Sequence, residues 1–263
     1  MSHAGKILEY EMHNLLRSRW LLAVAGVLFA VTEVLFRFGG EPAKTIASLM
    51  NIVLVVVPLL SVVLGTIYFY NSREFNELLL AQPVNRTSIY VGKLVGFAGA
   101  LCLALLVGLG GPFLIHSYGL RGHVIELLTL LAVGCAFVVI FASLAFYAAT
   151  RFEDRIKGLG FTLVAWFFLT LVWDGLILLY VHMFRDYPYE GGLLGLIFLN
   201  PIDLGRITIL LQLDIAALMG YTGAVFQKAF GTDRGLALTM AAMIVYAAVP
   251  VLLGLRTFRR KDF

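Results

Sequence analysis

Charge is scarce in this chain. Only 14% of its 263 residues are Asp, Glu, Lys or Arg and 60% are hydrophobic, whereas a soluble domain is about a quarter charged. Cysteine is nearly absent. Cys102 and Cys135 both lie inside long apolar runs, which excludes a disulfide framework or a zinc site. Catalytic signatures are missing as well. Gly92-Lys93 is followed by Leu94, and Thr87 stands where a phosphate loop needs its first glycine. There is no His-Glu-x-x-His pair and no Gly-x-Ser-x-Gly elbow. If ATP drives this protein, another chain hydrolyses it. A mean hydropathy of +0.91 excludes a disordered chain, a nucleic-acid-binding domain and an ordinary cytosolic enzyme. The reading that remains is a polytopic helical membrane protein. Its net charge of +4 needs no nucleic acid, because the basic residues sit beside apolar spans where topology explains them.

Six runs are long enough to cross a membrane, at about 20 residues each: about 20–38, 46–70, 94–118, 124–150, 159–183 and 235–255. The first lacks a small-residue cleavage site and reads as a retained span. Lys6, Arg17, Arg19, Arg73, Arg86, Lys93, Arg151, Arg155, Lys157, Arg256, Arg259, Arg260 and Lys261 fall on one side. Only Arg37, Lys44 and Arg121 occupy the two short connectors opposite. Both termini are therefore expected in the cytoplasm, with an even number of spans. The apolar stretch 207–226 would make a seventh span and put the basic tail outside. With Gln212 and Asp214 in its middle it is expected to form outer-side helices that lie on or dip into the membrane. Segment 184–234 then becomes one long outer connection, packed on the spans or on a partner.

Ionisable groups inside spans mark function or helix packing, since each is costly unless it faces protein or water. Glu33 lies about 20 Å up the first span and Asp174 about 24 Å up the fifth, at 1.5 Å per residue. His116 and His182 reach the outer boundary, and Asp174 and His182 share a helix face. These groups either line an outer vestibule and touch a periplasmic partner, or fix helices against one another. No metal site is expected. Gly108, Gly110, Gly111 and Pro112 permit close helix approach in the third span. Cys102 and Cys135 fall at similar depth in neighbouring spans.

The cytoplasmic pieces are patterned for contact. Residues 6–19 alternate Leu8, Met12, Leu15 and Leu16 with Lys6, Glu9, His13, Asn14 and Arg17, the mark of an amphipathic interfacial helix. Connector 71–93 carries Glu74, Glu77 and Leu78 to Leu80 on a short helix that Pro83 ends, and a new helix starts near Asn85 or Thr87. Its leucines expose more apolar surface than a free loop keeps, so it either docks a soluble partner or packs on its own helices.

Glu74, Glu77, Gln82, Pro83, Val84, Arg86, Ile89, Gly92 and Lys93 are arranged as in the cytoplasmic connector of type-2 ABC exporter permeases. The chain resembles that family over its whole length, from the interfacial helix to the tail Phe258-Arg259-Arg260-Lys261-Asp262-Phe263. The resemblance implies an all-α integral membrane permease of the bacterial inner membrane. It also implies a homodimer joined to two cytoplasmic ATPase subunits that carry the ATP and Mg, with no cofactor in this chain. ATPase docking then falls on Glu74, Glu77, Leu78, Leu80, Pro83 and Arg86, with Glu153 and Asp154 as a second contact.

Trp166-Phe167-Phe168, Val172-Trp173-Asp174 and Asn200-Pro201-Ile202-Asp203-x-x-Arg206 resemble, more narrowly, permeases of nitrous oxide reductase maturation transporters. That likeness implies a periplasmic solenoid (β-helix) partner, membrane lipid around the spans, and a part in assembling the copper-sulfur centre. Glu33, Asp174, His182, Asn200, Asp203 and Arg206 would serve the outer vestibule or the periplasmic contact. Two alternatives stand beside it: an exporter of another cargo (lipid, drug or polysaccharide), and a scaffold that transmits force and moves nothing. Few polar residues occupy the inner half of the spans, which favours force transmission or a very small cargo.

Overall fold

The structure, a computed structural model, describes residues 18–39, 42–73, 85–116, 122–184, 190–213 and 231–260, with positions 225 and 229. Six of its helices are long and apolar enough to cross a membrane. They are α1 (Arg19–Gly39), α2 (Ala43–Asn71), α3 (Arg86–Ile115), α4 (Val124–Arg151) and α5 (Arg155–Met183). After the shorter α6 (Glu190–Phe198) and α7 (Pro201–Gln212) comes the sixth, α8 (Thr232–Arg260). No strand occurs among the described residues. The amphipathic stretch 6–17, the connector 74–84 and most of segment 214–230 lie outside the described residues.

Helix starts follow local chemistry. Asn85 caps α3 by accepting a hydrogen bond from the Thr87 amide at 3.1 Å, so α3 begins well before the apolar run at 94. Asp154 caps α5 in the same way through the Ile156 amide at 2.8 Å. Inside the spans, Thr32, Ser61, Thr66 and Thr208 donate to carbonyls four residues back at 2.6–2.8 Å. Those bonds satisfy hydroxyls that lipid cannot.

Helix α4 is the centre, packed against α2, α3, α5, α7 and α8. Its Phe137, Phe141 and Phe146 are fully buried. By contrast α1, α5 and α8 leave most of their apolar surface outside the fold, available to lipid or to another chain. Three spans contain a π-helical turn: Ile52–Val56 in α2 and Phe168–Val172 in α5 near mid-length, and Leu106–Gly110 in the last third of α3.

Of the stretch 207–226, expected to form outer-side helices that lie on or dip into the membrane, residues 214–224 and 226 lie outside the described residues, and the part before them belongs to a buried helix. That helix starts at Pro201, and Pro201 to Leu211 is almost wholly buried against α4 and α8. The axes of α6 and α7 meet at 107°, making a hairpin that enters the bundle. Proline accounts for the break: Asn200, before Pro201, is held extended (φ −122°, ψ 116°) and cannot continue α6. Gly205 lets α7 lie against α4, since a Cβ there would collide with the Phe137 ring.

A second glycine sets the seat of α1. A Cβ on Gly108 would lie 2.7 Å from the Leu28 Cβ and 3.0 Å from the Ala25 carbonyl oxygen. Backbone cannot yield as a side-chain tip can, so Gly108→Leu should loosen α1 from α3 at a cost of about 1–3 kcal/mol. Gly26→Leu, with open space around it, should be near neutral. Thermal unfolding of the two purified variants checks this; equal midpoints would refute the packing argument.

Candidate functional site

The α6–α7 hairpin carries the densest polar network among the described residues, and four of its members form one circuit with α5. Asn200 is fully buried at the turn. Its Oδ1 accepts from the Ile202 amide at 3.0 Å, capping α7. Its Nδ2 donates to the Leu169 carbonyl at 2.9 Å and to Asp203 Oδ2 at 3.0 Å. Arg206, one turn further along α7, donates to Asp203 Oδ1 at 3.2 Å. The same guanidinium grips Asp174 of α5 with two bonds, at 3.1 and 2.8 Å. The circuit thus leaves α5 at Leu169 and returns to it at Asp174.

Two indoles and a phenol complete the seat. Trp173 Nε1 donates to the Leu196 carbonyl at 3.3 Å, and Tyr246 of α8 donates to the Phe198 carbonyl at 2.8 Å. Trp166 Nε1 donates to the Val55 carbonyl at 3.1 Å, tying α5 to α2. The acceptors Val55 and Leu169 both lie inside π-helical turns, where the widened helix disturbs the regular ladder and turns a carbonyl to a side-chain donor. Leu169 stands midway between Arg155 and Met183, so the hairpin's turn reaches the middle of the span. The bidentate carboxylate–guanidinium pair at Asp174, further along α5, is strong and directional.

The residues expected at the outer face therefore separate. Asn200 and Asp203 are buried inside the fold. The side chains of Arg206 and Asp174 keep 32% and 39% of their surface exposed, which leaves them the reachable part of the circuit. Glu33 belongs elsewhere: it pairs with Arg37 at 3.0 Å and faces His116 Nδ1 at 3.6 Å, with Phe36 stacked on the His116 ring. That cluster clamps α1 to α3. His182 is exposed, and although it shares a face of α5 with Asp174 it does not join the circuit. Cys102 and Cys135 do meet, through an Sγ-to-carbonyl contact of 3.8 Å. Among the described residues no group of three or more His, Cys, Asp or Glu is arranged to hold a metal ion.

At the opposite, arginine-rich end, the expected second docking loop is held by a residue that sequence reasoning missed. Tyr70, at the end of α2, places its hydroxyl 2.8 Å from the Phe152 carbonyl and 3.1 Å from that of Asp154. Arg73 reaches the Glu153 carbonyl at 3.5 Å. Gly158 admits the Tyr70 ring, since any Cβ would strike it. The loop between α4 and α5 is thereby fixed to the helix that leads into the 74–84 connector. Arg86 is engaged in the fold as well, donating to the Arg259 carbonyl at 3.3 Å. A tyrosine at the boundary just before the connector was the available signal.

A family model described as ABC-2 family transporter protein matches residues 36–263. Two relatives align over nearly the full length of both chains. A probable ABC transporter permease protein NosY of Stutzerimonas stutzeri is 28% identical over 283 aligned positions, covering 99% of each chain. A protein of the same name from Pseudomonas aeruginosa is 28% identical over 276 positions, covering 97% of each.

Removing one partner of the circuit strands a charge. Asp174→Asn or Arg206→Gln should destabilise by on the order of 1–3 kcal/mol, below the 3–5 of a fully buried pair because part of it is exposed. The exchange variant Asp174→Arg/Arg206→Asp should recover part of the loss. Proteolytic nicking of the hairpin in detergent reads the outcome, and identical nicking of wild type and both single variants would show that the pair holds nothing.

Proposed function

The chain belongs to the ABC-2 transporter family, and we propose that it serves as the permease of a nitrous oxide reductase maturation machine. That it is a permease subunit of an ABC transporter, a multi-pass protein of the bacterial inner membrane, follows from the family and from its six apolar helices. The finer reading is carried by full-length alignment with two proteins named NosY. The Asn200-Pro201-Ile202-Asp203-x-x-Arg206 element, which here builds the hairpin lock, supports it.

In this reading the arginine-rich end faces the cytoplasm. Two copies of the chain pair, two ATPase subunits dock on the 74–86 connector and the 151–157 loop, and a periplasmic solenoid protein engages the other face. Tyr70 ties the 151–157 loop to the end of α2, the helix that precedes the connector. Because α5 is continuous from Arg155 to Met183, displacement of the loop passes along it to Asp174. From there the Arg206 lock passes it to the hairpin. The half-exposed Asp174–Arg206 pair cannot face hydrocarbon, so a second copy of α5 or a watered vestibule covers it. ATP binding shifts the population between two arrangements of these rigid parts.

Mild-detergent purification from the native host grown without oxygen on nitrate should bring down a cytoplasmic ATPase and a periplasmic solenoid protein. An ATPase alone would remove the nitrous oxide reductase reading and leave an exporter of another cargo. The double variant Glu74→Lys/Glu77→Lys should still insert and pair but should lose stimulation of the ATPase. Normal stimulation would sink the docking assignment.

A further inference from the structure

Three arginines converge at the end of the bundle that carries the C-terminus. Arg151 closes α4, and Arg256 and Arg260 stand one turn apart near the end of α8. They line an open cleft of about 470 Å³ with Tyr147, Thr150 and Thr257, and Glu153 contributes one opposing charge. Among the described residues none of the three guanidinium groups is held in an ion pair. Their neighbour Arg259 differs: its Nε donates to Thr87 Oγ1 at 2.8 Å and sews α8 to α3. One arginine of this helix end is used for packing, and two are turned into the cleft.

The wall above the cleft is apolar and exposed. Val245, Val249, Leu252 and Leu253 of α8 leave 40–60% of their surface outside the fold. Arg256 follows Leu252 by four residues and Val249 by seven, and Arg260 follows Arg256 by four, so all lie on one helix face. A stripe that is hydrocarbon-facing along the span and guanidinium-bearing at its end matches an acyl chain beneath an anionic headgroup. Thr150 and Thr257 donate to their own helices and serve as walls. The donors left for a ligand are the three guanidinium groups and the Tyr147 hydroxyl.

We propose that this cleft binds the phosphate of an anionic phospholipid, with one acyl chain laid along the α8 stripe. Arginine suits phosphate because its planar fork binds two oxygens at once. Topology alone asks for basic residues on this side but does not require three of them to meet in one cleft. Arg151 and Glu153 adjoin the expected docking loop, which makes an ATPase the competing occupant, and the exposed apolar α8 stripe that leads to Arg256 favours a lipid. Basic pockets between spans at the cytoplasmic side are a known form of lipid headgroup recognition. The site rests on the membrane placement of α8 and not on any cargo.

Native mass spectrometry of the intact protein, released from nanodiscs of mixed phosphatidylglycerol and phosphatidylcholine, tests it. Wild type should retain phosphatidylglycerol selectively. Arg151→Gln/Arg256→Gln/Arg260→Gln should weaken retention roughly fivefold per arginine, on the order of a hundredfold in all. Arg151→Lys/Arg256→Lys/Arg260→Lys, which keeps the charges, should hold most of the selectivity, and Arg37→Gln at the opposite end should change nothing. Undiminished selectivity in the glutamine triple would overturn the proposal. Displacement of the lipid by millimolar inorganic phosphate would make it a site for free anions instead. A glutamine triple that keeps its lipid but no longer co-purifies with an ATPase would assign the arginines to docking.

Discussion

The Asp174–Arg206 pair is the interaction on which the distinctive part of this fold depends. Two short helices cannot enter a hydrocarbon layer unless their ends are satisfied, because unpaired amides and carbonyls there cost several kcal/mol each. The turn at Leu199 and Asn200 interrupts the helical ladder where lipid offers nothing in exchange. Asn200 repairs the break with its side chain, Asp203 holds Asn200, and Arg206 holds Asp203 while gripping Asp174. Without Asp174, the hairpin would keep, among the described residues, only the single hydrogen bonds of Asn200, Trp173 and Tyr246 to the spans. The ion pair adds a bidentate, charged fastening.

The π-helical turns serve the same end by another route. A regular span offers neighbours only its side chains, because its carbonyls are already used. Widened turns in α2 and α5 accompany carbonyls that receive Trp166 and Asn200. The turn in α3 places Gly108 against the backbone of α1. Each departure from the α-helix sits where one element must be held closely by another. That is the pattern expected when irregularity has a structural purpose.

Much of this was legible in the sequence, and the limits have physical causes. Six spans follow from hydropathy because lipid leaves the backbone no alternative to helix. Asn85 announces the start of α3 through its capping chemistry, whereas the caps at Asp154 and Asn200 emerge only in the fold. Asp174, Asn200, Asp203 and Arg206 were all marked as costly or patterned, yet no spacing rule joins a residue of α5 to one 32 positions later on a folded-back helix. The expectation over 207–226 rested on Gln212, Asp214 and the basic tail, and it carried no information on where Pro201 would turn the chain into the bundle. Tyr70 was missed for the opposite reason: a boundary tyrosine is ordinary, and only the approach of the Phe152 and Asp154 carbonyls makes it a fastening. Glu33 and Asp174 read alike by depth, but one ended in a clamp between α1 and α3 and the other in the hairpin lock.

Two fastenings on one helix define what α5 can transmit. Tyr70 holds the loop at its start, and Arg206 holds its side at Asp174, 19 residues further on, about 28 Å at 1.5 Å per residue. A tilt of about 5° pivoted at the loop would carry Asp174 roughly 2–3 Å, more than a hydrogen bond tolerates if the hairpin stayed behind. The hairpin must then follow α5 or the lock must open. Asn200 and Trp173 bind the hairpin to α5 as well, which favours following. Tyr246 bonds it to α8, and α7 packs broadly on α8 and α4, so the hairpin is held on both sides. A tilt of α5 that carries the hairpin must therefore also shear its packing on α8. The π-helical turn at Phe168–Val172 lies between the two fastenings, where the helix has most freedom to absorb a mismatch.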